Sequence, residues 1–182
     1  MIRPAGPADL AALGDFFAGL SAETRYKRFF GPVTPTRALL DLLSGRAADV
    51  HAVVAVAGGV IVGHAMAVDR AEPGDPGNPG QARTADIGMV VTDAWQGRGV
   101  GSALMRALVA QAGARGVTSL AMDVLHTNRQ VLAMIIGHWP AADVGYSADS
   151  LGIRIRLPRH QPPPPRARTA ARHARPLATL GR

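Results

Sequence analysis

Apolar residues recur at helical spacing at Leu10, Leu13, Phe16, Phe17 and Leu20, directly after Pro7-Ala8-Asp9, where a proline suits the first turn of a helix. Ser21, followed by Glu23 and Thr24, predicts a capped second helix over Ser21–Phe30, halted by Gly31-Pro32. Thr34-Pro35 introduces a third, Thr36–Leu43, ending near Gly45. The period then changes from helical to extended. Val50–Ala57 and Val60–Val68 are rich in β-branched residues and flank Gly58-Gly59, a hairpin signal. Asp69–Arg83 reads as a mobile Gly/Pro/Asn-rich loop, and Thr84–Val91 as the next strand. A helix over Gly99–Ala114 presents Val100, Leu104, Ala107 and Leu108 on one face and stops at Gly116. A buried strand follows at Ser119–Leu125, then a helix over Asn128–Ile136 with Val131, Leu132, Ile135 and Ile136 apolar. Ala142–Tyr146 and Leu151–Leu157 close the pattern as a strand pair around Asp149-Ser150, while Met1–Pro7 holds at most a stub of strand.

Charge alters this picture only at one end. The chain of 182 residues has a net charge of +7, but residues 158–182 contain six Arg and no acid, which leaves the body at +1. The expectation is one folded domain over residues 1–157 and a disordered, basic Pro/Arg-rich tail over 158–182, with nucleic acid reached, if at all, weakly through that tail. The absence of cysteine excludes a disulfide framework, a Cys zinc site and a Cys nucleophile. No signal-peptide pattern opens the chain, and the longest apolar stretch, Val50–Val68, is broken by His51, Gly58, Gly59, Gly63 and His64. A soluble, cytoplasmic protein with no membrane partner is expected.

The chemistry concentrates at Gln96-Gly97-Arg98-Gly99-Val100-Gly101, where a strand gives way to a helix through closely spaced glycines. Small residues there let the backbone approach a ligand, and the free N–H groups at the helix start suit an anion. A Walker loop would need a Lys after its last Gly, but Ser102 follows Gly101. A dinucleotide fingerprint would place a third Gly at Ser102 and start directly after the strand, whereas Thr92–Trp95 intervene.

The pattern Gln96-x-x-Gly99-x-Gly101, between a strand and an amphipathic helix, resembles the pyrophosphate loop of the GNAT superfamily of acyl-CoA N-acyltransferases. The order of elements over roughly residues 2–157 agrees. Ile2-Arg3-Pro4…Asp9, the segment Leu20–Phe30 and Asn128-Arg129 are most similar to the bacterial protein-lysine acetyltransferases of that superfamily. The resemblance implies an α/β fold with a mixed, mostly antiparallel sheet of about six to seven strands, flanked by helices and splayed at the strand before the loop. It implies acetyl-CoA as cosubstrate, no metal, and a primary amine as acceptor, either a protein lysine or a small molecule. Met89, Val90 and Val91 would meet the pantetheine arm through their backbone; Gln96, Gly97, Arg98, Gly99, Val100, Gly101 and Ser102 would hold the pyrophosphate; Asn128 would contact the cofactor arm, cap its helix, or do both.

Asp86 is the candidate general base. Relatives place a Glu here, in a pattern like Ala-Glu-Val-Ala-Phe-Val-Val, against Ala85-Asp86-Ile87-Gly88-Met89-Val90-Val91 in this chain. The alternative for Asp86 is an exposed strand-edge acid, and the alternative for the domain is an acyl-CoA-sensing module with weak catalysis. Trp95 either packs the loop down or covers an adenine; Tyr146 reads as core or edge packing; Asp123 in its buried strand faces a partner charge. His64 reads as a core histidine, His126 sits at a strand end, and no His pairing suits a metal. Gly137-His138-Trp139-Pro140 departs from the family's usual Gly-Phe, so the crossing after that helix is expected to differ.

Overall fold

The computed structural model describes residues 1–71 and 83–158. The basic tail and the middle of the expected loop lie outside the described residues. The seven strands are β1 (Ile2–Pro4), β2 (Val50–Ala57), β3 (Val60–Ala71), β4 (Arg83–Val91), β5 (Ser119–Leu125), β6 (Asp143–Tyr146) and β7 (Ser150–Arg156). They form one sheet in the order β1-β2-β3-β4-β5-β7-β6. The β4–β5 pairing is parallel and every other neighbouring pair is antiparallel. The helices are α1 (Leu10–Ala18), α2 (Ala22–Phe29), α3 (Arg37–Leu43), α4 (Val100–Ala114) and α5 (Arg129–His138). The mixed sheet and its flanking helices agree with the expected fold class.

Caps act where the sequence places them. Ser21 Oγ accepts from the Thr24 N–H at 3.1 Å, and Thr36 Oγ1 accepts from the Leu39 N–H at 3.3 Å. β3 runs three residues past Val68 and pairs with β4 out to Ala71 and Arg83, so the ends of the expected loop are strand. Likewise α5 continues through His138 before Trp139 and Pro140.

Helices cover the two faces of the sheet unequally. On one face α1 and α3 bury Leu13, Phe16, Phe17 and Leu43 against Val54, Met66 and Val90. On the other, α4 and α5 bury Leu104, Met105, Leu108 and Ile135 against Ala65, Ala85, Leu120 and Ile153. α4 approaches β3 closely at Gly63, where a Cβ would lie 2.9 Å from Leu104 Cδ1. His64 is fully buried beneath α1, its ring 5.4 Å from that of Phe17. Its Nε2–H donates to the Leu43 carbonyl at 2.8 Å, and burial pulls its pKa down to about 4. The ring is a neutral structural group, as its place on an apolar strand suggests.

One buried acid clips the sheet to α4. Asp69, 4% exposed, receives Arg115 Nε and Nη2 at 2.9 Å each, with Arg83 at 3.5 Å. Burial alone would raise its pKa; the Arg115 hydrogen bonds and charge, with His51 and Arg83, outweigh that and leave it below the usual carboxylate range.

Candidate active site

The sheet opens between β4 and β5. Their parallel pairing joins only Thr84 to Ser119, Ala85 to Leu120 and Asp86 to Ala121. At the closed end the Thr84 and Ser119 hydroxyls lie 2.7 Å apart and buried. Beyond Asp86 the two strands part, and Ile87–Val91 keep β3 as their ladder partner on one side only. Alternation along β4 sends Asp86, Gly88 and Val90 to the face of α2, and Ala85, Ile87 and Met89 to the face of α4.

The glycine turn stands at the wide end of this gap. Gly97 and Gly99 adopt φ of 70° and 79°, the left-handed region that a side chain would strain. α4 begins at Val100 with no side chain capping it, so its first N–H groups point free toward the gap's mouth. Gly101 leaves space beside Met89 and Met134, whose nearest atoms would lie 3.5 and 3.7 Å from an added Cβ. Gln96 is drawn back into the fold, donating through Nε2 to Thr24 Oγ1 and the Val91 carbonyl, each at 3.1 Å. Asp93, in the short 3-10 turn Asp93–Trp95, accepts from Thr24 Oγ1 at 2.8 Å and Ser21 Oγ at 2.9 Å. Its pKa is lowered first by the Thr24 hydrogen bond, with Ser21 adding to it against a raising contribution from burial.

Met89, Val90, Val91, Gln96, Gly97, Gly99, Gly101, Ser102 and Asn128 line one cavity of about 270 Å³, so the structure brings nine of the sequence-predicted positions together. Of the predicted cofactor positions, two stand apart. Arg98 stacks over Trp95 with its guanidinium 5.3 Å from the ring, and Val100 turns its side chain toward Gly63 on β3. Trp95 is half-buried against the core beneath the turn, in keeping with the packing alternative. Asn128 makes no side-chain capping bond to α5, which leaves its amide to the cavity.

Asp86 lies at the narrow end, in an adjoining cleft with Arg70, Asp123, Asp143 and Arg154, its Oδ2 2.5 Å from Arg70 Nε. A third cavity passes between β4 and β5, sharing Met89, Asn128 and Arg28 with the first and Ile87, Met122 and Asp123 with the cleft. A continuous groove thus runs from the glycine turn, through the gap, to Asp86. Asp123 is exposed, not buried against a partner charge as the sequence suggests: alternation puts Met122 and Val124 in the core and turns the carboxylate out, over Gly152. Tyr146 is 84% exposed on edge strand β6, which corrects the core alternative for it. His126 sits outside the groove and bonds the Ser150 carbonyl at 3.0 Å.

Several groove residues escape sequence reasoning: Thr24, Lys27 and Arg28 from α2, and Gln130 and Met134 from α5. Helical periodicity marks faces that meet the core, and these side chains line an open cavity. Arg28 is the most unusual of them. Its guanidinium lies flat over Gly88, where any Cβ would collide with it, and 4.9 Å from the Phe29 ring. Burial brings its pKa down to about 10, and its Nε is enclosed without a partner.

The donor set suits a cofactor with a phosphate and a thin amide-bearing arm. Free helix N–H groups face one end, unpaired β4 backbone lines the middle, and glycines clear the wall. Among the described residues no helix is long and apolar enough to cross a membrane, and no cluster of His, Cys, Asp or Glu could hold a metal ion.

Comparison with known proteins agrees with this architecture. The chain is 32% identical over 150 residues to Acetyltransferase Pat of Mycolicibacterium smegmatis, a match covering 79% of this chain and 43% of that protein, so it spans under half the relative's length. The structure superposes on the GNAT domain of S. lividans PAT with a TM-score of 0.74 at 24% identity, covering 86% of this chain and 89% of that one. It superposes on yncA from Salmonella typhimurium, solved with its cofactor acetyl-CoA, with a TM-score of 0.65 at 19% identity, covering 90% and 96% of the two chains. Residues 19–135 match the sequence profile of the Acetyltransferase (GNAT) family, and the chain belongs to that family.

Proposed function

We propose that this chain transfers the acetyl group of acetyl-CoA to a primary amine, a protein lysine or a small-molecule amine, by direct attack. The observation that supports it is the continuous groove from the glycine turn to Asp86. The N–H groups of Gly97 to Ser102 would hold the pyrophosphate, and the free β4 edge at Met89–Val91, with Asn128, would hold the arm. Acetyl-CoA, when bound, supplies an acyl carbon activated as a thioester.

Asp86 and Asp123 border the cleft where the acceptor enters. A lysine ammonium has a pKa of about 10.4, so at neutral pH it must shed a proton before it is nucleophilic. Asp86 takes that proton, directly or through water. The N–C bond forms as the C–S bond breaks, and the sulfur leaves as thiolate to be protonated. Thiol release from acetyl-CoA with a responsive amine, measured across pH for wild type, Asp86→Asn and Asp123→Asn, tests the assignment. The Asp86 variant should lose at least tenfold in rate; an unchanged rate and pH profile would remove Asp86 from the chemistry and leave Asp123 as the acid that borders the same gap.

A second reading, an acyl-CoA-sensing module with weak turnover, draws support from the Arg70–Asp86 ion pair, which occupies the carboxylate. Calorimetric binding of acetyl-CoA without thiol release for any amine tried would favour it.

A further inference from the structure

Arg28 is a cation built into the groove without an anion. Among the described residues it has no carboxylate within ion-pair distance, and its enclosed Nε has no acceptor. Lys27, beside it, is already engaged by Glu23, and Arg70 by Asp86. A guanidinium partly withdrawn from water without a counter-charge is costly, and the planar fork of Arg is suited to a carboxylate held by two bonds. The fold also makes room for it. A Cβ at Gly88 would collide with Arg28 Nη2, so a glycine is what admits the guanidinium over β4. The position is shared by the cavity of the glycine turn and the cavity between β4 and β5, at the level of Met89 and one residue from the point where the strands part. That is where donor and acceptor meet if the proposed acyl transfer holds, and the inference rests on that reading.

We propose that Arg28, seated over Gly88, is a receptor for a carboxylate on one of the two reactants. The carboxylate belongs either to the acyl group, as in a dicarboxylic acyl-CoA, or to the amine, as in an amino acid. Its chemistry is the same in both cases: a planar anion at the centre of the groove. Asp123 on the opposite strand, unpaired among the described residues, would repel the same carboxylate and so fix which end of a reactant points at Arg28.

Matched pairs that differ only by a carboxylate decide it, with the full chain. In one arm, calorimetry gives the dissociation constants of succinyl-CoA and butyryl-CoA. In the other, the CoA-bound protein is titrated with γ-aminobutyrate against butylamine and lysine against cadaverine, and thiol release from acetyl-CoA is followed for the same amines. One arm should show at least a tenfold preference for the carboxylate-bearing member, falling to twofold or less in Arg28→Gln. Preference in the acyl arm assigns the carboxylate to the donor; preference in the amine arm assigns it to the acceptor. Gly88→Ala, which displaces the guanidinium while keeping its charge, should reduce the same preference and guards against a folding defect in the first variant. Ratios under twofold in both arms of wild type, a preference that survives Arg28→Gln, or a loss equal for both members of each pair would each overturn the proposal. Failure of every CoA thioester to bind would instead overturn the function on which it rests.

Discussion

Asp93 Oδ1 accepts a hydrogen bond from Thr24 Oγ1 at 2.8 Å and so ties the turn before α4 to the first turn of α2. Ser21 adds a second bond at 2.9 Å, and Gln96 a third contact to the same Thr24 at 3.1 Å. The glycine turn is therefore positioned by a helix from the other end of the chain. Asp93→Ala should leave Thr24 and Gln96 less fixed, cost about 1 kcal/mol of stability, and raise the KM for acetyl-CoA several-fold with a smaller change in kcat. Denaturation and steady-state kinetics on the purified variant check this, and an unchanged KM would mean the tie does not position the turn.

Gly101 separates Met89 from Met134 across the cavity. Gly101→Leu places a side chain where the ligand arm would pass, on a helix that tolerates leucine well. Binding of acetyl-CoA should weaken at least tenfold by calorimetry, with the melting temperature within a few degrees of wild type.

Arg70 holds Asp86 in an ion pair at 2.5 Å. Removing the cation in Arg70→Gln releases the Asp86 carboxylate from that pair and leaves it open to an incoming amine. If Asp86 is the base, thiol release at neutral pH should change several-fold on this substitution. The rate of the double variant with Asp86→Asn should not respond to Arg70.

His64 gives the fold a distinct pH dependence. Its pKa of about 4 in the native state lies below the value near 6.5 of an unfolded histidine, so the unfolded chain binds the extra proton in between. Its contribution is complete above pH 6.5 and is lost as the pH falls toward 4, by roughly 3 kcal/mol in all. His51, lowered first by burial and then by the Arg115 charge, adds slope in the upper part of that window. Asp9, Asp69 and Asp93, all below the usual carboxylate range, lose their contributions as the pH falls from that range through their lower folded values. Urea denaturation from pH 7 to pH 4 should show falling stability in wild type and a shallower slope in His64→Met.

Asp69 is nearly fully enclosed by Arg115, Arg83 and His51. Asp69→Asn leaves those cations without their counter-charge and should cost about 3 kcal/mol, read as a shift in the denaturation midpoint. Such a loss with acetyl-CoA binding retained would separate this structural clip from the groove.

The order of elements was readable because periodicity and punctuation agree: Ser21 and Thr36 cap, Gly58-Gly59 turns, and the glycines before α4 mark the ligand end. β-pairing stayed hidden where it overrode local composition, as at Asp69–Ala71, which continue β3 because Thr84, Ala85 and Arg83 stand opposite. The groove was legible along β4 and the turn, where consecutive residues line one cavity. Its far wall was not. Arg28, Gln130 and Met134 come from two helices distant in sequence, and nothing in their spacing tells a groove-facing side from a solvated one. Asp123 departs from the expectation because a buried strand need not be buried at every second residue: Met122 and Val124 face the core and Asp123 faces the cleft.

The gap between β4 and β5 has a selective consequence. Unpaired strand edges usually invite another strand, from a neighbouring chain or a misfolded copy. This edge faces inward, with β5 splayed opposite and the Thr84–Ser119 hydroxyls fastening one end. A peptide strand brings side chains above and below its plane; a slender chain with amides and no branches brings none. The slot thus offers its backbone to a thin chain and not to a second strand, and an edge that would be an aggregation hazard on the outside of a sheet is kept inside it.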